Sequence, residues 1–215
     1  MQVSLVALTK PVIPGCDSAS EFLAYCARVS NPANQNNKET SARLLKYLIK
    51  HQHWSPFEMA HMVLKIVTTR DIARQILRHR SFSFQEFSQR YAEAAFFEGR
   101  KVRLQDNKNR QNSLETDDEK LRVWWNYAQD RVIQEAAAVY RNALDRGIAK
   151  EVARAVLPEG LTQSVLYMAG SIRSWIHYCD LRTGQDTQKE HREIALECQR
   201  ILYEQFPALK NDTVT

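Results

Sequence analysis

Three segments with the composition of β-strands lie far apart in the chain, and helical patterns fill most of the sequence between them. The strand-like segments are residues 2–9, 59–67 and 161–169. Apolar residues at helical spacing, with capping residues at several ends, predict helices over 18–31, around 44–49, and over 69–79, 117–146, 149–157, 171–183 and 186–206. This order predicts an α+β fold, a single domain over residues 1–215 with a small, mainly antiparallel sheet and several helices.

The helix predicted at 117–146 is the longest element. Thr116 and Glu119 form a capping pattern at its start, and Gly147 is typical of a helix end. Its apolar face consists of Trp124, Val132, Ala136 and Val139. We expect the tryptophans of this helix to pack in the core or against another subunit. Residues 99–113, in contrast, are polar and basic and predict a solvated loop.

The composition limits the class of protein. The chain has 215 residues, of which 44% are hydrophobic and 26% are charged, a balance typical of a globular domain. No apolar run approaches the roughly 18 residues that a membrane span needs, and the N-terminal residues lack the pattern of a signal peptide. We therefore expect a cytoplasmic protein without membrane contact. The four cysteines form no Cys-x-x-Cys pair, which argues against a zinc knuckle or a redox motif.

The densest group of candidate binding residues lies between 78 and 91. Its polar members include Arg78, His79, Arg80, Ser88 and Arg90. Guanidinium groups hold phosphates through paired, charge-assisted hydrogen bonds, and the formal net charge of +5 also favours an anionic partner. Glu86 is an acceptor, so a phosphate joined to a sugar or a base fits this segment. A single exposed arginine is more often a solvated side chain, but the density of this group favours a binding site.

The spacing Arg-His-Arg, seven residues, Ser, one residue, Arg resembles the signature of the flavin-dependent thymidylate synthases. The residues at those positions are Arg78, His79, Arg80, Ser88 and Arg90. Segments 53–58, 151–158 and 173–182 are also similar to the family, so the resemblance covers most of the chain. The sequence departs from the usual family residues at Met59, Gln85 and His177.

The resemblance implies the reductive methylation of dUMP to dTMP. In this family 5,10-methylenetetrahydrofolate is the one-carbon donor, and FAD reduced by NADPH is the source of hydride. The sequence contains no Gly-x-Gly-x-x-Gly segment, which argues against a Rossmann site for FAD or NADPH. The resemblance also implies a homotetramer with its active sites between subunits.

The same resemblance implies site residues, position by position. Those for dUMP are Gln75, Arg78, Glu86, Ser88, Gln89, Arg90, Arg154 and Arg182. Those for FAD are His53, Ser55, Arg78, His79, Arg80, Glu86, Ser171, Arg173 and His177. No metal ion is expected, because the histidines at 51, 53 and 61 lack the carboxylate spacing of a known ligand set.

Arg182 is the predicted catalytic residue. Methylation of uracil at C5 requires that carbon to be electron-rich, and the better-known thymidylate synthases achieve this by adding a cysteine thiolate to C6. Nothing in the sequence near Cys179 is expected to activate its thiol in that way. A cation at the N3–C4 edge of uracil offers another route, since it would stabilise charge that develops toward C5. Without the resemblance, Arg182 is interpreted as a cation that complements a helix C-terminus.

Two other functions are compatible with the same residues. Arginines interleaved with Phe82, Phe84, Phe87 and Tyr91 are similar to the groove of a single-stranded nucleic-acid-binding protein. Such a groove needs a continuous basic stripe longer than one nucleotide. An interaction protein that keeps the fold without catalysis is the second alternative. The intact signature argues against both, so dUMP, and no nucleic acid, is the expected ligand.

Overall fold

The computed structural model describes residues 1–94 and 96–210 of the chain. The strands are β1 (Gln2–Leu8), β2 (His61–Thr69), β3 (Ser83–Glu86), β4 (Leu104–Gln105), β5 (Ser113–Leu114) and β6 (Gln163–Ser171). The helices are α1 (Ala19–Ala27), α2 (Ser41–Lys50), α3 (Arg70–Ile76), α4 (Glu119–Asp145), α5 (Lys150–Ala153), α6 (Ile172–Arg182) and α7 (Lys189–Gln205). Short 3₁₀ turns at Ser55–Glu58 and Arg154–Val156 also carry candidate site residues.

The main sheet has four antiparallel strands in the order β1-β2-β6-β3. Its central pair, β2 and β6, alternates buried and partly exposed residues, as a sheet covered on one face does. The buried residues of these strands pack against α1, α2, α3, α6 and α7 in one hydrophobic core. The prediction of an α+β fold with a small antiparallel sheet, several helices and one long helix is confirmed.

Two short strand pairings are absent from the predicted elements. The segment at 83–86, for which no element was predicted, is strand β3 and pairs with β6. The segment at 99–113, predicted as a loop, contains the two-residue strand β4, which pairs with β5. Asp106 closes the turn between them by accepting hydrogen bonds from the backbone N–H groups of Lys108 and Asn109. Both pairings are short and lie in polar sequence, so no hydrophobic periodicity marks them.

The long helix α4 begins one residue after Asp118, whose side chain accepts a hydrogen bond from the backbone N–H of Leu121. Asp118, and not the predicted Thr116, is therefore its N-cap residue. The helix buries Gln129, Ala136 and Tyr140. Most of its predicted apolar face is exposed on this chain, because the side chains of Trp124, Val132 and Val139 do not reach the core. No described helix has the length and apolar character needed to cross a membrane.

Gly170 on β6 fixes the segment that carries the arginine-rich signature. A Cβ atom at this position would lie 2.6 Å from Cε1 of Phe82. The Phe82 ring is buried and packs edge-on against Trp175, with ring centroids 4.8 Å apart. Glycine is therefore required here for close approach rather than for backbone freedom, and Phe82 fixes the turn that follows Arg80.

Gly170→Ala should destabilise the protein by about 1–3 kcal/mol, because the added methyl group overpacks the core at the Phe82 ring. Gly160→Ala is the matched control, since a Cβ atom there would come no closer than 4.0 Å to another side chain. Urea unfolding of both variants measures the difference. Equal stability of the two variants would show that the Phe82 contact has no such role.

Candidate active site

The first group of site residues surrounds the C-terminus of α3. Gln75 lies in the last turn of this helix, and Arg78, His79 and Arg80 follow in the turn that leads to β3. The side chains of Arg78 and Arg80 are exposed and make no hydrogen bond or ion pair with any described residue. Two unpaired guanidinium groups on adjacent turns are available for an anionic ligand.

Arg182, at the C-terminus of α6, lies against this turn. Its Nε–H donates a hydrogen bond to Nε2 of His79 over 2.9 Å. Burial, together with the charges of Arg182 and Arg78, lowers the pKa of the His79 imidazole to about 4. His79 is therefore neutral at physiological pH and can accept this bond. The contact uses only the Nε–H group, so the two Nη amino groups of Arg182 stay available for a substrate.

A second histidine, His191 on α7, lies behind this pair. Its ring is 1% exposed, and its nitrogens contact the Gln75 side chain at 3.3 Å and the Tyr178 hydroxyl at 3.1 Å. Burial, followed by the neighbouring Arg182 and His79, lowers the pKa of His191 to about 3. His191 is not among the predicted site residues, because a histidine in an amphipathic helix carries no signal of its partners.

The low pKa of His191 makes the stability depend on pH. The unfolded chain takes up a proton near the ordinary pKa of 6.5, while the buried ring stays neutral down to about 3. The free energy of unfolding should therefore fall by about 2 kcal/mol through this residue between about pH 7 and pH 5. His191→Asn lacks this contribution, so its loss over the same range should be smaller by that amount. Urea unfolding at both pH values provides the comparison, and equal losses would contradict the prediction.

Cys179 cannot serve as a nucleophile in the state that the structure shows. It is 2% exposed on the core side of α6, and burial, with a smaller effect of Asp180, raises the pKa of its thiol to about 12. A thiol with this pKa has almost no thiolate at neutral pH. The structure therefore agrees with the expectation that C5 of uracil is not activated by this cysteine.

The second group lies beyond β3, next to α5. Arg90 Nε pairs with Glu151 at 3.0 Å, and Arg154 Nε donates to the backbone oxygen of Glu151 over 3.3 Å. The exposed Ser88 lines an open depression of about 500 Å³ with Arg90 and Glu151. Gln89 is buried, and its Nε2 has no hydrogen-bond partner among the described residues. Two arginines, a hydroxyl and an unpaired amide are compatible with a phosphate ester.

Glu86 occupies a separate position at the end of β3. Its Oε1 accepts a hydrogen bond from the Ser164 hydroxyl over 2.6 Å and lies 3.4 Å from Nη1 of Arg70. That Nη1 atom is buried, and the geometry of its contact with Glu86 is too poor to count as a hydrogen bond. Arg70 and Glu86 therefore form an ion pair without a hydrogen bond. Arg70 and Ser164 are thus partners of Glu86 that the sequence alone did not indicate.

The third group lies where the 3₁₀ turn Ser55–Glu58 meets the start of α6. Glu58 Oε1 accepts a hydrogen bond from Nη1 of Arg173 over 2.7 Å. Hydrogen bonds from Ser171 and then Arg173 lower the pKa of the Glu58 carboxyl. Glu58 therefore holds Arg173, one of the residues predicted to bind FAD. His177 lies one helical turn further along α6, with its ring 4.5 Å from that of Trp54.

His53 follows a tight end to α2. The backbone N–H of His53 donates to the oxygen of Leu48, and that of Gln52 donates to the oxygen of Ile49. This pattern is a Schellman motif, and Gln52 has the left-handed φ of 57° that it requires. The turn leaves the His53 ring exposed beside Ser55.

On one chain, the predicted site residues form separate groups. Direct contacts join Arg182 with His79, Arg90 with Glu151 beside Arg154, and Arg173 with Glu58. None of the described contacts joins the group around Ser88 and Arg90 to the group around Arg182. Among the described residues, no three or more His, Cys, Asp or Glu side chains form a possible metal site.

The aromatic residues of the signature do not form a stacking groove. Phe82 is buried at 8% exposure and belongs to the core, whereas Tyr91 is 87% exposed. Phe84 and Phe87 are only partly exposed, on either side of Glu86. The single-stranded nucleic-acid interpretation needs successive exposed aromatic faces, and this chain presents one of the four.

Comparisons with known proteins identify the family of this chain. The family model described as thymidylate synthase complementing protein matches residues 12–208. The chain belongs to this family. It is 52% identical over 212 residues to the flavin-dependent thymidylate synthase of Synechocystis sp., and the match covers 97% of each chain. It is 50% identical over 210 residues to the probable flavin-dependent thymidylate synthase of Paramecium bursaria Chlorella virus 1, again with 97% of each covered.

The fold is also similar to that of a solved structure. The UMP/dUMP methylase PolB from Streptomyces cacaoi, bound with 5-Br dUMP, superposes with a TM-score of 0.80 at 29% identity. The superposition covers 96% of this chain and 91% of the PolB chain. Sequence and fold thus both place the chain in the family described as thymidylate synthase complementing protein.

Proposed function

We propose that this chain catalyses the reductive methylation of dUMP to dTMP, with 5,10-methylenetetrahydrofolate as the one-carbon donor and FAD reduced by NADPH. The observation that carries the proposal is the contact of Arg182 with neutral His79 in a chain of this family. The contact orients a permanent cation while its two amino groups stay available. The named relatives and the 5-Br dUMP complex of PolB support the choice of a uracil nucleotide.

The proposed dUMP-binding residues suit different parts of the nucleotide. Arg78, Arg90 and Arg154 suit the phosphate, and Ser88 adds a hydroxyl donor. Gln75, Glu86, Gln89 and Arg182 complete the predicted set. Glu86 has a second carboxylate oxygen beyond its contact with Ser164, which suits a sugar hydroxyl or a base N–H.

The residues present also fit an anionic dinucleotide such as FAD. Arg78 and Arg80 are exposed and unpaired among the described residues, as a pyrophosphate site requires. His53, Ser55, His79 and Glu86, together with Ser171, Arg173 and His177, are the other residues that we propose to hold it. Reduced FAD supplies the hydride when bound. In the free chain Glu58 keeps Arg173 in a fixed orientation.

Arg182 is the proposed catalytic residue. Its Nη groups would donate to the N3–C4 edge of uracil, and this favours an enolate-like base with more negative charge at C5. Because the bond to His79 fixes the guanidinium before substrate arrives, little reorganisation is needed during the reaction. A neutral His79 is essential to this arrangement, since a protonated ring could not accept from Arg182.

We further propose a homotetramer with active sites between subunits. The exposed apolar face of α4 borders a broad groove of about 1080 Å³, lined by residues that include Trp124, Tyr127, Val132 and Val139. An apolar surface of this kind on one chain is typical of a subunit interface. Association would also bring together the groups of site residues that lie apart on one chain. A single domain over residues 1–215 and a cytoplasmic location complete the proposal.

The test of the function is dTMP formation from dUMP, methylenetetrahydrofolate and NADPH, with and without added FAD. The proposal predicts dTMP that depends on FAD and on each of the other components. Bound flavin without any dTMP would instead indicate a flavoprotein with another substrate. Absence of both flavin binding and dTMP would reject the function.

A further inference from the structure

We propose that Glu190 fixes the direction of the Gln75 side-chain amide in the dUMP site, through a chain of hydrogen bonds that holds His191 as the Nδ1–H tautomer. Glu190 and His191 are positioning residues in this chain, because they act on a ligand only through Gln75. The part that concerns dUMP rests on the function proposed above. The tautomer of His191 is a property of the ligand-free protein.

The hydrogen-bond chain begins at the Glu190 carboxylate, which can only accept hydrogen bonds. Glu190 lies in the first turn of α7, is 7% exposed, and pairs with Nη1 of Arg103 at 2.7 Å and Nη1 of Arg100 at 3.5 Å. Burial raises the pKa of Glu190, but hydrogen bonds from Arg103 and Gln188 outweigh it, and the net pKa is lowered. Nε2 of Gln188 donates to Oε2 of Glu190 over 3.0 Å. An ionised carboxylate has no proton to give, so the nitrogen of the Gln188 amide must face it.

The direction of each later bond follows from the one before it. With its nitrogen on Glu190, Gln188 presents Oε1 to Gln75, whose Nε2 donates to it over 2.7 Å. Gln75 then presents Oε1 to Nδ1 of His191 at 3.3 Å. An amide oxygen needs a donor, so the proton of the neutral ring lies on Nδ1. The other ring nitrogen, Nε2, accepts from the Tyr178 hydroxyl over 3.1 Å.

Burial at both ends of the hydrogen-bond chain couples the orientations of its two amides. His191 and Tyr178 are each 1% exposed, so bulk water offers them no alternative partners. Reversal of one amide alone would bring two donors together on one side and two acceptors on the other. Gln75 and Gln188 are themselves partly exposed, but Glu190 and His191 at either end are buried. An unpaired buried group at either end is unfavourable, so the two amides reverse together.

The hydrogen-bond chain matters for the site because it includes Gln75, a predicted dUMP-binding residue. The Gln75 amide keeps one N–H and one oxygen lone pair that the chain does not use. A fixed amide direction decides which side of Gln75 offers the donor to a nucleotide. The Tyr178 ring also lies edge-on to His79, with centroids 4.9 Å apart, so the chain reaches the residue that orients Arg182.

Solid-state NMR of the full-length protein labelled with ¹⁵N-histidine tests the tautomer directly, because protonated and unprotonated ring nitrogens give distinct signals. The protein has six histidines, and the signal that is lost in His191→Asn is that of His191. We expect Nδ1 to be protonated and Nε2 unprotonated at neutral pH. An Nε2–H tautomer or a charged ring at His191 in the wild-type protein would overturn the proposal. If the variant does not fold, sequential backbone assignment of uniformly labelled wild-type protein assigns the same signal.

Glu190→Gln should reverse the whole chain. A guanidinium only donates, and Arg103 at 2.7 Å is a closer donor than Arg100 at 3.5 Å. The new amide therefore keeps its oxygen toward Arg103 and turns its nitrogen toward Gln188. The amides of Gln188 and Gln75 then both turn over, and His191 converts to the Nε2–H tautomer that donates to Tyr178. A His191 that stays in the Nδ1–H form in this variant would show that Glu190 does not set the direction.

Tyr178→Phe is the matched control. It removes the last hydroxyl but leaves Glu190, Gln188 and Gln75 unchanged, so His191 should remain in the Nδ1–H form. A change of tautomer in this variant would overturn the proposal, because it would assign control of the ring to Tyr178.

Equilibrium dialysis with dUMP tests the link to the site. Reversal of the Gln75 amide in Glu190→Gln should raise the dissociation constant of dUMP by about tenfold, the effect of one lost hydrogen bond. An inverted tautomer with unchanged dUMP affinity would overturn the role of Gln75 in the dUMP site. Failure of the wild-type protein to bind dUMP would instead reject the proposed function and leave the tautomer result valid.

Discussion

Arg182→Ala should abolish dTMP formation while it weakens dUMP binding only modestly. The guanidinium is proposed to stabilise charge that is greatest in the transition state, so its loss acts mainly on kcat. Removal of one such preorganised donor lowers kcat by about 10²–10³ in other enzymes, and removal of a full cation should exceed this. Steady-state kinetics and a separate measurement of dUMP affinity distinguish the two effects.

Two variants control for this result. Arg182→Lys keeps the charge but loses the Nε–H that contacts His79, so it should retain part of the activity. Arg200→Ala removes an exposed arginine of α7 that pairs with Glu197 and Glu204, and it should have no effect on turnover. Near-normal dTMP production by Arg182→Ala would disprove the assigned role.

Val132→Asp should dissociate the protein and abolish turnover together. Val132 is half-exposed on one chain and lines the α4 groove, so in a tetramer the new carboxylate would be buried in a mainly apolar interface. A buried carboxylate costs several kcal/mol, and the symmetry of a tetramer repeats this cost at every equivalent interface. Analytical ultracentrifugation and the dTMP assay on the same samples measure both effects.

Asn126→Asp is the control for this substitution. It adds the same charge to the same helix, but Asn126 is exposed and does not line the groove. It should therefore leave both assembly and turnover intact. A Val132→Asp monomer with normal turnover would contradict the proposal that the sites form between subunits.

The sequence predicted the elements that are marked by periodicity. Strands β1, β2 and β6 and the long helices lie within a few residues of their predicted positions, because their apolar residues recur at regular spacing. The apolar face of α4 was also identified, but its exposure on one chain is a property of tertiary packing. Strand β3 and the β4–β5 pair were missed because pairs of two to four residues leave no periodic signal.

The site was predicted in its residues but not in its contacts. The motif resemblance identified both Arg182 and His79, yet the sequence gives no information on a hydrogen bond between residues 103 positions apart. Glu58 lies within a segment similar to the family, and its link to Arg173 appears only when the 3₁₀ turn meets α6. His191 was missed for the same reason, since only the packing of α7 against α3 and α6 places its ring beside Gln75 and Tyr178.

Two groups of the site are predicted to come from different subunits. Val156, two residues after Arg154, lines the α4 groove, so Arg154 lies at the edge of the proposed interface. Arg182 is held by His79, and neither residue lines that groove. A complete site would therefore combine Arg182 of one chain with Arg154 of another.

Complementation between two inactive variants tests this arrangement most directly. Arg182→Ala and Arg154→Ala chains, co-expressed with different affinity tags and purified as hybrids, should regain up to about a quarter of wild-type dTMP formation, because in random mixing that fraction of shared sites contains both arginines. Each variant alone should stay inactive. Hybrid tetramers that form but show no recovered activity would contradict a site that combines these two arginines from different subunits.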